Sequence, residues 1–235
     1  EIKIDTSILL ANVRSEVDRL NSLHLQFLEK AGVELINGWG RFVGPNSISV
    51  LKDGSKEEVR TVAGKNFLIA VGGRPIIPDI PGSELAWLSD DMFNQDQFPS
   101  SVVIVGAGFI ACEFACILNG LGVDVTQLVR GNSLLRGFDK ELTISLQKEM
   151  ERQGINIHFG QNLLKIGGMP NQLEIETREE LFIKTNGLLF ATGRKPFLEN
   201  LNLEACGVDI SKNRILIDDK QTTNVPHIYA IGDVT

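Results

Sequence analysis

Near the start of the chain, apolar positions recur with the period of a helix. Leu9, Leu10, Val13, Val17, Leu20, Leu23, Phe27 and Leu28 share one face, and Gly32 supplies a stop. The spacing predicts one helix over Ser7–Ala31 with a single buried side. Short strand-like runs follow at Val33–Ile36, Ser47–Leu51, Glu58–Val62 and Phe67–Val71. Gly44-Pro-Asn46 and Asp53-Gly54 are the turns expected between them. This is a small antiparallel region ending in Ala70-Val-Gly-Gly-Arg-Pro75.

Pro75, Pro78, Pro81 and Gly82 mark a linker, and a different pattern begins at Val102. An apolar strand (Val102–Val105), a helix (Phe109–Gly120), a strand (Val123–Val129), a helix (Lys140–Gln153) and a strand (Ile155–Phe159) alternate as βαβ units do. Three more strand-like runs are Leu163–Ile166, Leu173–Thr177 and Gly187–Phe190. After Ala191-Thr-Gly-Arg194 the chain reads as a return to its first region, closing with Tyr229-Ala-Ile-Gly-Asp-Val234.

Composition narrows the classes. With 235 residues, 43% hydrophobic and 23% charged, the chain has ample material for a packed core. A net charge of −7 argues against nucleic acid or an anionic membrane as the main partner. No run approaches the roughly 20 apolar residues that span a bilayer, and the polar start does not resemble a secretory signal. The 3 cysteines are few and odd in number, which fits a reducing compartment. The expected location is the cytoplasm, or an organelle stroma or matrix after removal of a transit peptide.

Gly106-Ala-Gly108-Phe-Ile110-Ala111 is G-x-G-x-x-A, placed directly after an apolar strand and opening a helix. That context gives the pattern its meaning, since the same glycines also occur as a plain turn in an unliganded α/β fold. The first glycine permits the tight turn, the second lets backbone approach a pyrophosphate, and Ala111 allows close helix–strand packing. The helix start then offers unpaired N–H groups and partial positive charge to phosphates. About 20 residues on, an NAD site places a carboxylate at the end of the second strand. Here that strand ends in Val129 and Arg130, with Arg136 following. Two guanidiniums suit the 2′-phosphate of NADP, although two surface arginines are also unremarkable in themselves. NADPH is the expected cofactor.

On these motifs, with Arg130-Gly-Asn-Ser-Leu-Leu-Arg-Gly-Phe-Asp139 and Thr223-Asn-Val-Pro-His-Ile-Tyr-Ala-Ile-Gly-Asp-Val-Thr235, the chain resembles the glutathione reductase branch of the pyridine nucleotide-disulfide oxidoreductases. The resemblance implies an α/β protein: a Rossmann-like, three-layer NADP-binding domain (76–192) inserted in a partial FAD-binding domain (1–75 and 193–235). Ala70–Arg74 and Ala191, Gly193 and Arg194 resemble the crossings between these domains. Gly232 and Asp233 resemble the second FAD motif, whose aspartate meets the ribityl chain. Phe109 matches the aromatic over the nicotinamide pocket, where the family usually has Tyr; as a bare residue it reads equally as core. Glu113 matches an acid that pairs with a lysine near the flavin. Gly131 stands where some relatives have a histidine beside the phosphate.

The implied parent reaction runs from NADPH to FAD, to an active-site disulfide, to glutathione disulfide, in a homodimer. Thioredoxin reductases share an arginine pair followed by Leu-Arg-Gly-Phe-Asp, so they are an alternative, as is a non-catalytic NADPH-binding module. The family's first FAD fingerprint, its C-x-x-x-x-C and its dimer domain do not occur in this sequence. A central fragment lacking both ends is therefore expected, with no catalytic residue of its own and no activity in isolation. Cys112 and Cys116 are expected in the core. His24, His158 and His227 are scattered, so no metal site is expected.

Overall fold

The computed structural model describes residues 4–52, 55 and 57–235; the turn expected at Asp53-Gly54 lies outside them. The chain divides into two compact units, one formed by Pro75–Gly193 with the described residues up to Ser22, the other by Leu23–Arg74 with Arg194–Thr235.

Helix α1 spans Thr6–Lys30. Gly32 ends it in the left-handed region at φ 70°. Its N–H reaches Glu29 O at 2.9 Å and the Val33 N–H reaches Leu28 O at 2.9 Å, the paired bonds of a Schellman stop. The predicted apolar face is present, but only Leu10 in α1 is buried, and Val17, Leu20 and Phe27 stay exposed. Periodicity specifies a face; it does not supply a partner. The strand expected at Val33–Ile36 is also absent, because the chain there is leaving the helix stop. The first strand is instead Trp39–Gly44, which sequence reading missed because two of its residues are glycine. It pairs antiparallel with Ser47–Leu51, which pairs with Glu58–Ala63.

The core of the Leu23–Arg74 and Arg194–Thr235 unit draws on both stretches of chain. Phe42, Phe67 and Ile69 pack with Leu201, Leu203, Val208, Ile215, Ile228 and Val234. The short strand Phe67–Ile69 runs parallel to Ile228–Ala230, Phe67 opposite Ile228 and Ile69 opposite Ala230.

In the other unit, four parallel strands lie in the order Gly187–Phe190, Ser101–Val105, Asp124–Val129, Asn156–Phe159. Helices α2 (Phe109–Gly120) and α3 (Lys140–Arg152) belong to this unit. Val102, Ile104, Val125 and Val129 face a core with Ala111, Ala115 and Leu118 of α2 and Met150 of α3. The alternate positions Val103, Leu128, Leu188 and Phe190 face Ile166, Leu173 and Ile175. Those last three come from an antiparallel sheet of Leu163–Met169, Gln172–Thr177 and Phe182–Thr185. The runs Ser101–Val105 and Gly187–Phe190 are nearly continuous apolar stretches because both of their faces are covered. Helices, parallel sheet and antiparallel sheet make three layers, as expected of this α/β class. Among the described residues no helix is long and apolar enough to cross a membrane.

Asp139 caps α3: its Oδ1 accepts from the N–H of Glu141 at 2.9 Å and of Leu142 at 3.2 Å. Replacing it with alanine is expected to cost about 1 kcal/mol. A urea unfolding midpoint that did not fall would contradict this.

Candidate functional site

The glycine turn sits at the carboxyl edge of the parallel sheet, where ligands of open α/β folds bind. Gly106 adopts φ 147°, a region denied to side chains. A Cβ there would lie 2.2 Å from the Ala191 carbonyl oxygen, which ends the neighbouring strand. The turn is fastened at three places. Gly106 N–H donates to Leu128 O at 3.0 Å, Gln127 Nε2 donates to Gly106 O at 2.9 Å, and Leu135 N–H donates to Ala107 O at 2.7 Å. The Gly106 and Ala107 carbonyls and the Gly106 N–H are thus engaged from the protein side, which leaves the N–H groups after Gly106 as the turn's open polar face.

Gly108 is the N-cap of α2 and makes no side-chain cap bond. Helix geometry leaves the first N–H groups of α2, from Phe109 onward, without intrahelical acceptors. The contrast with α3 is direct, since a carboxylate closes that helix start. A Cβ on Gly108 would meet nothing within 4 Å, so the approach to the open helix end is clear. Ala111 is fully buried, which lets α2 lie close on the sheet, whereas Ile110 is half-buried.

The loop after the second strand is anchored to this turn. Leu135, at φ 48°, provides the bond to Ala107 O, and buried Leu134 pins the loop beneath. Gly131 O accepts from Gly160 N–H at 3.0 Å. Arg130 and Arg136 flank this anchored stretch, and both are exposed. Among the described residues neither arginine has a carboxylate partner. Two uncompensated guanidiniums therefore stand on the loop bonded to an open, electropositive helix end. Sequence reasoning missed Leu135; nothing in its type foretells a left-handed backbone.

Phe109 opens α2 at 58% exposure, which removes the reading of it as core. Glu113, one turn on, is exposed as well. Cys112 is buried as expected, but Cys116 is exposed, a correction to the core assignment. Four positions along a helix do not share the same depth when the buried stripe is narrow. Burial pushes both thiols above the usual range, Cys112 against an opposing pull from the Gln127 amide and with added repulsion from Cys116 and Glu113. Neither is set up as a thiolate nucleophile.

In the other unit a second constellation forms around Asp233, which follows the buried strand Ile228–Ala230. Gly232 makes the turn at φ 80°. Arg194 Nε lies 3.7 Å from Asp233 Oδ2, and Arg194 Nη2 donates to Gly73 O at 2.5 Å. A Cβ on Gly73 would come within 3.0 Å of the Asp233 carboxylate, so the glycine leaves that carboxylate approachable. Gly193, at φ 123°, belongs with Ile76 to the Pro75–Gly193 unit, where its carbonyl accepts from the Ile76 N–H at 2.9 Å. Among the described residues no group of His, Cys, Asp or Glu could hold a metal ion. His227 Nε2 is instead bonded to Pro45 O at 2.8 Å.

Residues 2–235 match the family described as pyridine nucleotide-disulphide oxidoreductase. The chain is 37% identical to glutathione reductase of Nostoc over 96% of its own length and 50% of the relative's. It is 38% identical to the chloroplastic/mitochondrial glutathione reductase of Pisum sativum, over 100% of this chain and 42% of that protein. Thioredoxin reductase of Plasmodium falciparum is 35% identical over 99% of this chain and 44% of its own length. Among solved structures, the HOCl-induced flavoprotein disulfide reductase RclA from Escherichia coli shares the fold with a TM-score of 0.85 at 24% identity. That match covers 96% of this chain and 52% of the other. The chain thus spans about half the length of the relatives it matches.

Proposed function

The chain belongs to the pyridine nucleotide-disulphide oxidoreductase family, and from that premise we propose that it holds NADPH on the glycine turn and contributes Asp233 to an FAD site. The observation that carries the first half is the uncapped start of α2, bonded through Ala107 to the loop of Arg130 and Arg136. When bound, the nicotinamide supplies a hydride and the flavin carries the electron pair toward a disulfide. The protein's part is placement. The N–H groups after Gly106 receive the diphosphate, with Gly108, Ile110 and Ala111 giving it room and close helix packing. Arg130 and Arg136 hold the 2′-phosphate by charge-assisted bonds. Phe109 covers the nicotinamide pocket by stacking, having no hydroxyl to offer, and Glu113 stands one helical turn behind it. Ala191, Gly193 and Arg194 line the second crossing, and the Gly232 turn presents Asp233 as an acceptor for sugar-like hydroxyls.

The parent protein is read as a homodimeric glutathione-disulfide reductase of a reducing compartment, the cytoplasm or an organelle interior. The glutathione reductases at 37% and 38% identity support that substrate. The thioredoxin reductase at 35% identity keeps a protein disulfide as the second reading.

Calorimetric titration of this chain with NADPH and NADH tests the cofactor assignment. NADPH is expected to bind at least tenfold more tightly, the value of about one charge-assisted contact. Equal affinities, or no binding by either, would overturn it. Expression of the full reading frame tests the enzyme: a yellow protein that oxidises NADPH with glutathione disulfide supports it, and a colourless NADPH binder supports a non-catalytic module.

A further inference from the structure

Gln127 is the outlier of the parallel sheet. It lies in the strand Asp124–Val129 between Val125 and Val129, on the face that meets α2, and is 0% exposed. An amide buried among Val, Ala and Leu side chains costs free energy unless its polar atoms are matched. Its match is incomplete. Nε2 donates to the Gly106 carbonyl at 2.9 Å and, weakly, to Cys112 Sγ at 3.9 Å, while Oε1 is buried with no partner. A leucine would fill the same space without an orphaned oxygen. The shorter of its two bonds goes to an oxygen, the carbonyl of the first fingerprint glycine.

That carbonyl belongs to the peptide joining Gly106 to Ala107, and a peptide is planar. Fixing the oxygen toward the sheet interior therefore fixes the Ala107 N–H to the opposite side. Gly106 itself resists no rotation, having no side chain. Leu135 performs the same service for the next peptide through Ala107 O. Together the two bonds hold successive N–H groups outward, the arrangement that receives an anion.

We propose that Gln127 is a positioning residue for the diphosphate of the dinucleotide: it pre-orders the Gly106–Ala107 peptide and touches no part of the ligand. The inference rests on the dinucleotide reading above and deepens it. It separates two recognition elements, because the arginine loop reads the 2′-phosphate while Gln127 acts only on the diphosphate turn.

The test is Gln127→Met, which keeps length and volume and removes the donor, with Gln127→Asn as a shorter amide that cannot span to Gly106 O. Affinities are measured for NADPH, NADH and adenosine 2′-monophosphate, alongside the thermal midpoint of the unliganded chain. Either folded variant is expected to weaken NADPH and NADH by the same factor, about tenfold for one hydrogen bond lost from the binding-competent turn. Adenosine 2′-monophosphate, which lacks the diphosphate, is expected to bind unchanged. Unchanged affinity for both dinucleotides overturns the proposal, and so does an equal loss for all three ligands, which would mark general loosening of the fold. Absence of dinucleotide binding by the wild-type chain would instead sink the reading on which this one rests.

Discussion

Gly106→Ala is expected to destabilise the protein by about 3–5 kcal/mol, while Gly108→Ala leaves the fold intact and weakens dinucleotide binding. The two glycines stand two residues apart, yet their surroundings are opposite. At Gly106 a new Cβ would lie 2.2 Å from a backbone oxygen of Ala191, at a φ of 147°. Neither the oxygen nor the turn can swing aside, because Ala191 N–H is itself bonded to Val105 O at 2.9 Å. Strain at such a φ costs about 1–3 kcal/mol, and forced movement of the neighbouring strand end takes the total into the range reserved for core disruption. At Gly108 the backbone is extended, with φ −81° and ψ 176°, which any residue adopts. Its Cβ would meet no atom of the chain, so stability should stay within about 0.5 kcal/mol. The methyl group would instead occupy the approach to the uncapped start of α2. Loss of close phosphate contact should weaken NADPH and NADH alike by about 2 kcal/mol. Urea unfolding and calorimetric titration of both variants read this directly. A stable Gly106→Ala protein, or a Gly108→Ala protein that binds normally, would refute the corresponding half.

Replacing Arg130 and Arg136 together by alanine should weaken NADPH by about 2–4 kcal/mol and leave NADH nearly unchanged, since charge-assisted contacts are each worth about 1.5–3 kcal/mol. Both arginines are exposed, so removing them leaves no buried partner stranded, and the unfolding midpoint should hold. Their attraction for a phosphate is partly screened by salt. The gap between the two coenzymes should accordingly narrow as ionic strength rises. If affinity for both coenzymes fell together, the arginines would be supporting the loop and not reading the 2′-phosphate. This variant and the Gln127 variants make complementary predictions: one changes the preference between coenzymes, the other changes affinity without changing preference.

Much of the βα alternation was legible before any coordinates. Strands buried on both faces are written as unbroken apolar runs, and Val102–Val105 and Gly187–Phe190 declare themselves that way. The strand Phe182–Thr185 did not, since its sequence Phe-Ile-Lys-Thr interrupts the apolar run and its place depends on pairing with Gln172–Thr177. Gln127 left a trace that could have been followed: a lone amide inside an apolar strand asks for a nearby backbone group. The sequence reading passed over it because the identity of that group depends on a turn lying 21 residues earlier.

What the sequence by itself determined is the local chemistry: the glycine turn, the missing carboxylate at the second strand, the paired arginines and the helix stop at Gly32. These follow from backbone sterics and side-chain charge within a few residues, so they can be read in order. Tertiary structure decided which groups are open and which are engaged. Only packing shows that the start of α2 is uncapped while that of α3 is closed, that Leu135 locks the arginine loop onto Ala107, and that Gly106 must be bare because another strand ends against it. Burial and hydrogen-bond satisfaction depend on partners distant along the chain, and periodicity carries no information about whether those partners arrive. The largely exposed apolar face of α1 shows the same limit.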